Sequence, residues 1–206
     1  DISQKFNDLA EGKINRLIVN MPPRHTKSEF ASYFLPAWMI GKNPNLKIIQ
    51  ATHTAELAID FGRKTKNLID QNQYQEMFPT RLQEDSQAAG RWKTEQGGEY
   101  FAAGVGGAIT GRGADLLIID DPHKEQDLKG DGSAFDKAWN WYMSGPRQRL
   151  QPGGKIVLVM TRWSTKDLTG QLVKAQGDVK GDEWDVVEFP AILPNNKPVW
   201  PEYWKK

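Results

Sequence analysis

The stretch from Asn15 to Ser28, NRLIVNMPPRHTKS, constrains this chain more than any other. Leu17, Ile18 and Val19 form a short apolar run with β-branched members, the pattern of a buried parallel strand. Pro22 and Pro23 cannot continue a sheet ladder, and Lys27-Ser28 stands just before a helical pattern. Strand, tight loop, Lys-Ser and helix is the layout that sets a phosphate chain on a helix N-terminus. Backbone N–H groups and the Lys ammonium then hold phosphate oxygens, and the Ser hydroxyl holds Mg2+. The general pattern is G-x-x-x-x-G-K-[ST], and here Met21 and Thr26 occupy the two glycine places. On these residues alone, a phosphate loop and a Pro-rich basic turn are both open.

The rest of the chain supplies a frame for such a loop. Leu46 to Ala51 (LKIIQA), Leu116 to Ile119, Lys155 to Met160 (KIVLVM) and Asp185 to Phe189 (DVVEF) read as four further strands. A helix is expected over Ile2–Leu9 with Gly12 at its end, and another from Phe30 through Trp38, kinked at Pro36 and stopped by Gly41. Thr54 caps a third helix through Leu68, and Trp92–Thr94 with Glu99–Ala102 read as a small hairpin. Strands alternating with helices predict an α/β fold, a mostly parallel sheet flanked by helices with its site at the strands' C-terminal ends. From Ala191 the chain turns Pro-rich, which predicts a linker over 191–206 after a domain covering 1–190.

Composition narrows the function classes. With 206 residues, 38% of them hydrophobic and 26% charged, the chain is long enough for one full core. A net charge of +1 gives no overall basicity, so any nucleic-acid contact has to use a local patch. The absence of cysteine excludes disulfide and thiolate-metal chemistry. His25, His53 and His123 lack ligand-like spacing, so no zinc site is expected. No signal peptide and no membrane-length apolar run is visible, which predicts a soluble, cytosolic protein with no membrane partner.

Four apolar residues, Leu116 to Ile119, run into the carboxylates Asp120 and Asp121. In phosphate-loop enzymes the first acid at such a strand end associates with Mg2+, and a second orients or deprotonates the attacking water. A solvated Asp-Pro turn would read the same way, but a Lys-Ser loop upstream in the same chain favours the chemical reading. Thr161-Arg162 ends the next strand, where a polar residue faces a γ-phosphate or merely caps the strand.

PPRHTKS, GVGGAITGRGADLLIIDDPHK and VMTRWSTKDLTG, in this order and spacing, resemble the large terminase subunit of tailed bacteriophages, in its N-terminal packaging ATPase domain. The resemblance implies a P-loop NTPase of the additional-strand (ASCE) type that hydrolyses ATP with Mg2+ to drive double-stranded DNA into a procapsid. By matching motif positions, Pro23, Arg24, His25, Thr26, Lys27 and Ser28 would bind ATP, with Arg24 beside the γ-phosphate. Ser28 and Asp120 would hold the metal, and Thr161 with Arg162 would couple hydrolysis to motion. The catalytic carboxylate of many relatives is a Glu; here Asp121 fills that place, with Glu125 the second candidate. Arg112 resembles a trans-acting arginine, with Arg162 and Arg147 as competitors and a pairing with Asp115 as the structural alternative.

The resemblance also implies partners: the portal protein, the small terminase subunit and a homo-oligomeric ring, expected as a pentamer, with a monomer expected in isolation. The implied location is the host cell cytoplasm, transiently at the procapsid portal. A C-terminal nuclease domain and an upstream adenine-binding segment are expected beyond this stretch, so weak ATP binding is expected of it alone. Rival classes are a helicase-like ASCE ATPase, a non-catalytic nucleotide-binding module and a small-molecule kinase with a lid over Gln71–Gln96.

Overall fold

The computed structural model describes residues 2–86, 88–109, 111–178 and 181–204. Thr110 of the Gly-rich motif, Gln87 and the last two positions of the expected linker lie outside the described residues.

In chain order the regular elements are α1 Ile2–Ala10, β1 Arg16–Asn20, α2 Leu35–Lys42, β2 Lys47–Thr52, α3 Ala55–Ile69 and α4 Asn72–Met77. They continue with β3 Arg91–Lys93, β4 Glu99–Gly104, β5 Ala114–Asp120, α5 Ser133–Ser144, β6 Leu150–Met160, α6 Leu168–Ala175 and β7 Asp185–Glu188. The strands form one seven-stranded sheet in the order β3-β4-β2-β5-β6-β1-β7. Every neighbouring pair is parallel except β3 with β4. The four expected strands after β1 all form. The expected hairpin forms as well, but it is not separate: β4 pairs in parallel with β2 and extends the sheet.

Continuous apolar strands bury both faces, and successive residues sort between two cores. Leu17, Val19, Leu116, Ile118, Val157 and Val159 pack on one face with α1 and α2 residues such as Leu9 and Ile40. Ile18, Leu117, Ile119, Ile156 and Leu158 pack on the other, with Trp141, Tyr142, Leu168 and Leu172 of α5 and α6. The parallel order brings the C-terminal ends of β1, β6 and β5 side by side, with β6 inserted between the strand that feeds the loop and the strand that carries the acids. That insertion is the additional-strand arrangement.

Two local expectations are corrected. Gly41 does not stop its helix, which runs to Lys42 with Asn43 as its cap. Glycine is needed there for close packing: a Cβ would lie 2.7 Å from Phe78 Cγ and from Tyr74 Oη. Ahead of Pro36 the helix is a π-helical segment, Glu29–Phe34, in which the Leu35 N–H donates to Phe30 O. Proline has no N–H for the ordinary bond to Ser32 O, so the widened turn sits directly upstream of it. No described helix is long and apolar enough to cross a membrane.

Candidate nucleotide site

Residues 21–28 leave β1 and wrap back to the helix N-terminus through two non-glycine residues in the left-handed region, Arg24 (φ 60°) and Thr26 (φ 64°). Thr26 fills the second glycine place of the general pattern, so the loop adopts the glycine conformation without the glycine. A β-branched residue there is strained, at roughly 1–3 kcal/mol. Glycine loses up to about 1 kcal/mol more backbone entropy on folding. Thr26→Gly is therefore expected to raise stability by about 1 kcal/mol, or about 2–4 °C in Tm, read by thermal unfolding. A lowered Tm would mean that the bond from Thr26 Oγ1 to His25 O, 2.6 Å, outweighs the strain.

The loop delivers Lys27 and Ser28 onto the two acids. Lys27, 5% exposed, places Nζ 2.7 Å from Asp121 Oδ2. Ser28 Oγ donates to Asp120 Oδ1 at 2.9 Å. Asp120 is 1% exposed and receives a second hydroxyl, from Ser32, at 2.6 Å on Oδ2. Gln50 Nε2 in turn donates to Ser32 Oγ at 3.0 Å. Burial pushes the Asp120 carboxyl up to about 6, and the charge on Asp121 adds to the push. The hydroxyls of Ser32 and Ser28 and the charge on Lys27 oppose it.

Asp121 is the first residue past β5 and turns the chain with φ 41°. Its N–H donates to Val159 O at 2.9 Å, and its Oδ1 accepts from the Thr161 N–H at 2.9 Å. Thr161 Oγ1 donates to Met21 O at 3.2 Å, which ties the end of β6 to the residue leaving β1. Arg162 donates from Nε to the buried Asp167 at 3.1 Å and reaches Glu188 at 3.6 Å.

Of the remaining sequence-predicted residues, Glu125, Arg112 and Arg147 stand away from the two acids. Glu125 opens a short 3-10 turn, Glu125–Lys129, and is exposed. Arg112 precedes β5, at the opposite end of a strand about 20 Å long. There it pairs with Glu99 rather than Asp115, its guanidinium 4.1 Å from the Phe101 ring centre. Arg147 pairs with Asp182 at 2.9 Å. Arg24 is exposed on the loop, and His25 packs under the aromatic side chains of residues 200–204.

Sequence reasoning missed Ser32, Gln50 and His123. Gln50 interrupts the apolar run LKIIQA, a signal that a buried polar group faces the strand ends, whereas Ser32 carries no such mark. His123 is buried, accepts the Leu168 N–H on Nε2 at 2.9 Å and joins the acid turn to α6. Its pKa is lowered by burial, so it acts as a neutral acceptor.

The donor set fits Mg2+. Ser28 and Asp120 offer the oxygen ligands this cation takes, and the buried Asp120 carboxylate lacks a full countercharge. Among the described residues no group of three or more His, Cys, Asp or Glu could hold a metal. Mg2+ is commonly bound through one or two carboxylates, with water and phosphates completing its shell.

No family model and no curated protein matches the sequence. Solved structures match the fold. A large terminase from a thermophilic bacteriophage superposes with a TM-score of 0.56 at 13% identity, over 98% of this chain and 50% of that one. The HK97 bacteriophage large terminase does so with a TM-score of 0.54 at 16% identity, over 98% and 41%. The fold is that of phage large terminases. The thermophilic phage's large terminase in complex with ATP-gamma-S also matches, at TM-score 0.50 and 12% identity, over 98% and 49%. This chain thus spans half or less of the length of those terminases.

Proposed function

We propose that the chain is the ATPase motor part of a phage large terminase, hydrolysing ATP with Mg2+ to move double-stranded viral DNA into a procapsid. The observation that carries this reading is the junction of two strand ends: Lys27 on Asp121 and Ser28 on Asp120, with β6 between their strands. The likeness to a terminase solved with ATP-gamma-S supports a nucleoside triphosphate as the ligand.

On this reading Lys27 exchanges Asp121 for phosphate oxygens, and the loop N–H groups take the rest. Ser28 and Asp120 would hold Mg2+, which when bound neutralises charge on the triphosphate. Asp121, released from Lys27, orients the attacking water and accepts its proton. Thr161 senses that release because its N–H bonds the other oxygen of the same carboxylate. Arg24 is exposed on the same loop and would meet the terminal phosphate. Arg112 stands too far from its own loop to touch this phosphate. A catalytic Arg112 would therefore serve a neighbouring subunit in a ring.

The test is Mg2+-dependent phosphate release from ATP, with and without double-stranded DNA. Lys27→Ala is expected to lower the rate at least about 100-fold. Unchanged hydrolysis in Lys27→Ala would overturn the assignment. Nucleotide binding without turnover at any protein concentration would favour a non-catalytic binding module. Portal, small subunit, ring assembly and the procapsid location belong to the same proposal.

A further inference from the structure

Residues 191–204, expected as a linker, fold back on themselves. Ile192 and Pro198 form an antiparallel bridge, and the Val199 N–H donates to Ala191 O at 3.0 Å. A helical turn follows, closed by the Trp204 N–H on Trp200 O at 3.0 Å. This turn sets three aromatic side chains against the phosphate loop. Trp204 stacks on His25, with ring centres 5.7 Å apart and planes at 22°, and His25 Nδ1 lies 2.8 Å from Pro23 O of the same loop. Tyr203 closes one side of a cavity of about 350 Å³ whose remaining lining is residues 24–29.

The rings around Tyr203 leave it one open face. Trp200 stacks on it at 4.9 Å and 24°, and Trp204 meets it edge-on at 5.2 Å and 79°. Tyr203 nevertheless remains 60% exposed. A large aromatic ring held rigid on one side and bare on the other is unfavourable in water, and a flat heteroaromatic ring would cover it. Trp204 Nε1 is buried with no hydrogen-bond acceptor among the described residues, which leaves a donor unmet beside the loop. A ligand whose phosphates occupy residues 24–29 carries a flat ring within one nucleotide's length of them.

We propose that Tyr203, backed by Trp200 and Trp204, is the stacking platform for the purine base of the nucleoside triphosphate held by the loop. The proposal rests on the phosphate-loop reading above and adds the element that holds the base. That element follows the last strand, β7, in the chain. The fit is to a stacked ring, so the platform gives affinity for a base and favours the larger purine surface.

Calorimetric binding of ATP and of inorganic tripolyphosphate, both with Mg2+, separates the base contribution from the phosphate contribution. Wild-type chain should bind ATP more tightly than tripolyphosphate. Tyr203→Ala should weaken ATP about tenfold or more while leaving tripolyphosphate unchanged, and Tyr203→Phe should keep the parent affinity. ATP affinity unchanged in Tyr203→Ala, or equal weakening of both ligands, would overturn the platform. Tighter binding of both would also overturn it, because the segment would then be a steric cover on the loop. Tripolyphosphate that binds Lys27→Ala as well as wild type would sink the phosphate-loop reading itself.

Discussion

Asp121→Asn is expected to cut Mg2+-dependent ATP hydrolysis by about 10²–10⁴-fold, with Glu125→Gln remaining within about twofold of the parent. Sequence leaves these two carboxyls in competition, and they stand in different surroundings. Asp121 holds Lys27 on one oxygen and the Thr161 N–H on the other, so its carboxylate is fixed between the loop and the end of β6. Glu125 stands past Pro122 on an exposed turn. The substitution at 121 is also chemically clean. Asn occupies the left-handed region about as readily as Asp, so the φ of 41° survives. Its amide oxygen still accepts from Thr161, and only the basic oxygen and the charge facing Lys27 are lost. Retained activity in Asp121→Asn with loss in Glu125→Gln would reverse the assignment.

These two carboxyls mark a wider limit of what a sequence displays. The parallel strands are legible because both of their faces are buried, so LIV, KII, LLII and IVLV appear as unbroken apolar runs. The acids are legible because a buried run ending in two carboxylates is a conspicuous break in pattern. Ser32 is not, because a lone serine among aromatic residues carries no sign of its π-helical setting. Nothing local tells of β4 joining β2, because that pairing spans about fifty residues and depends on the sheet edge left open by α3. Arg112 departs from the pairing with Asp115 for a similar reason. Its actual partner, Glu99, lies on a different strand, and Asp115 instead accepts the Lys47 N–H at 2.9 Å. Nothing in the sequence of 200–204 displays the contact of Trp200 and Trp204 with His25, which is made only in three dimensions.

Asp120→Asn is expected to stabilise the nucleotide-free protein at pH 7.5 while abolishing its Mg2+-dependent activity. Asp120 sits in the core with two hydroxyls for partners, beside a second carboxylate, and its carboxyl is pushed up to about 6 from an ordinary 3.8. The folded chain therefore binds this proton more tightly than the unfolded chain does. The stability tied to this group is fully present below about pH 4 and is lost as pH rises through about 6. A difference of that size corresponds to on the order of 3 kcal/mol. Asn keeps an oxygen for Ser28 or Ser32 and carries no charge, so most of the loss disappears in the variant. Thermal unfolding from pH 4.5 to 7.5 should show the parent losing stability relative to Asp120→Asn as pH rises. The variant should end several degrees higher in Tm at pH 7.5, at about 2–4 °C per kcal/mol for a chain of this size. Parallel pH profiles for the two proteins would show that Asp120 is not held under this electrostatic strain. Diverging profiles would mean that the nucleotide-free fold gives up stability to keep a buried carboxylate ready. Added Mg2+ with nucleotide should then recover that stability in the parent alone, because only the parent retains the charge that the cation neutralises.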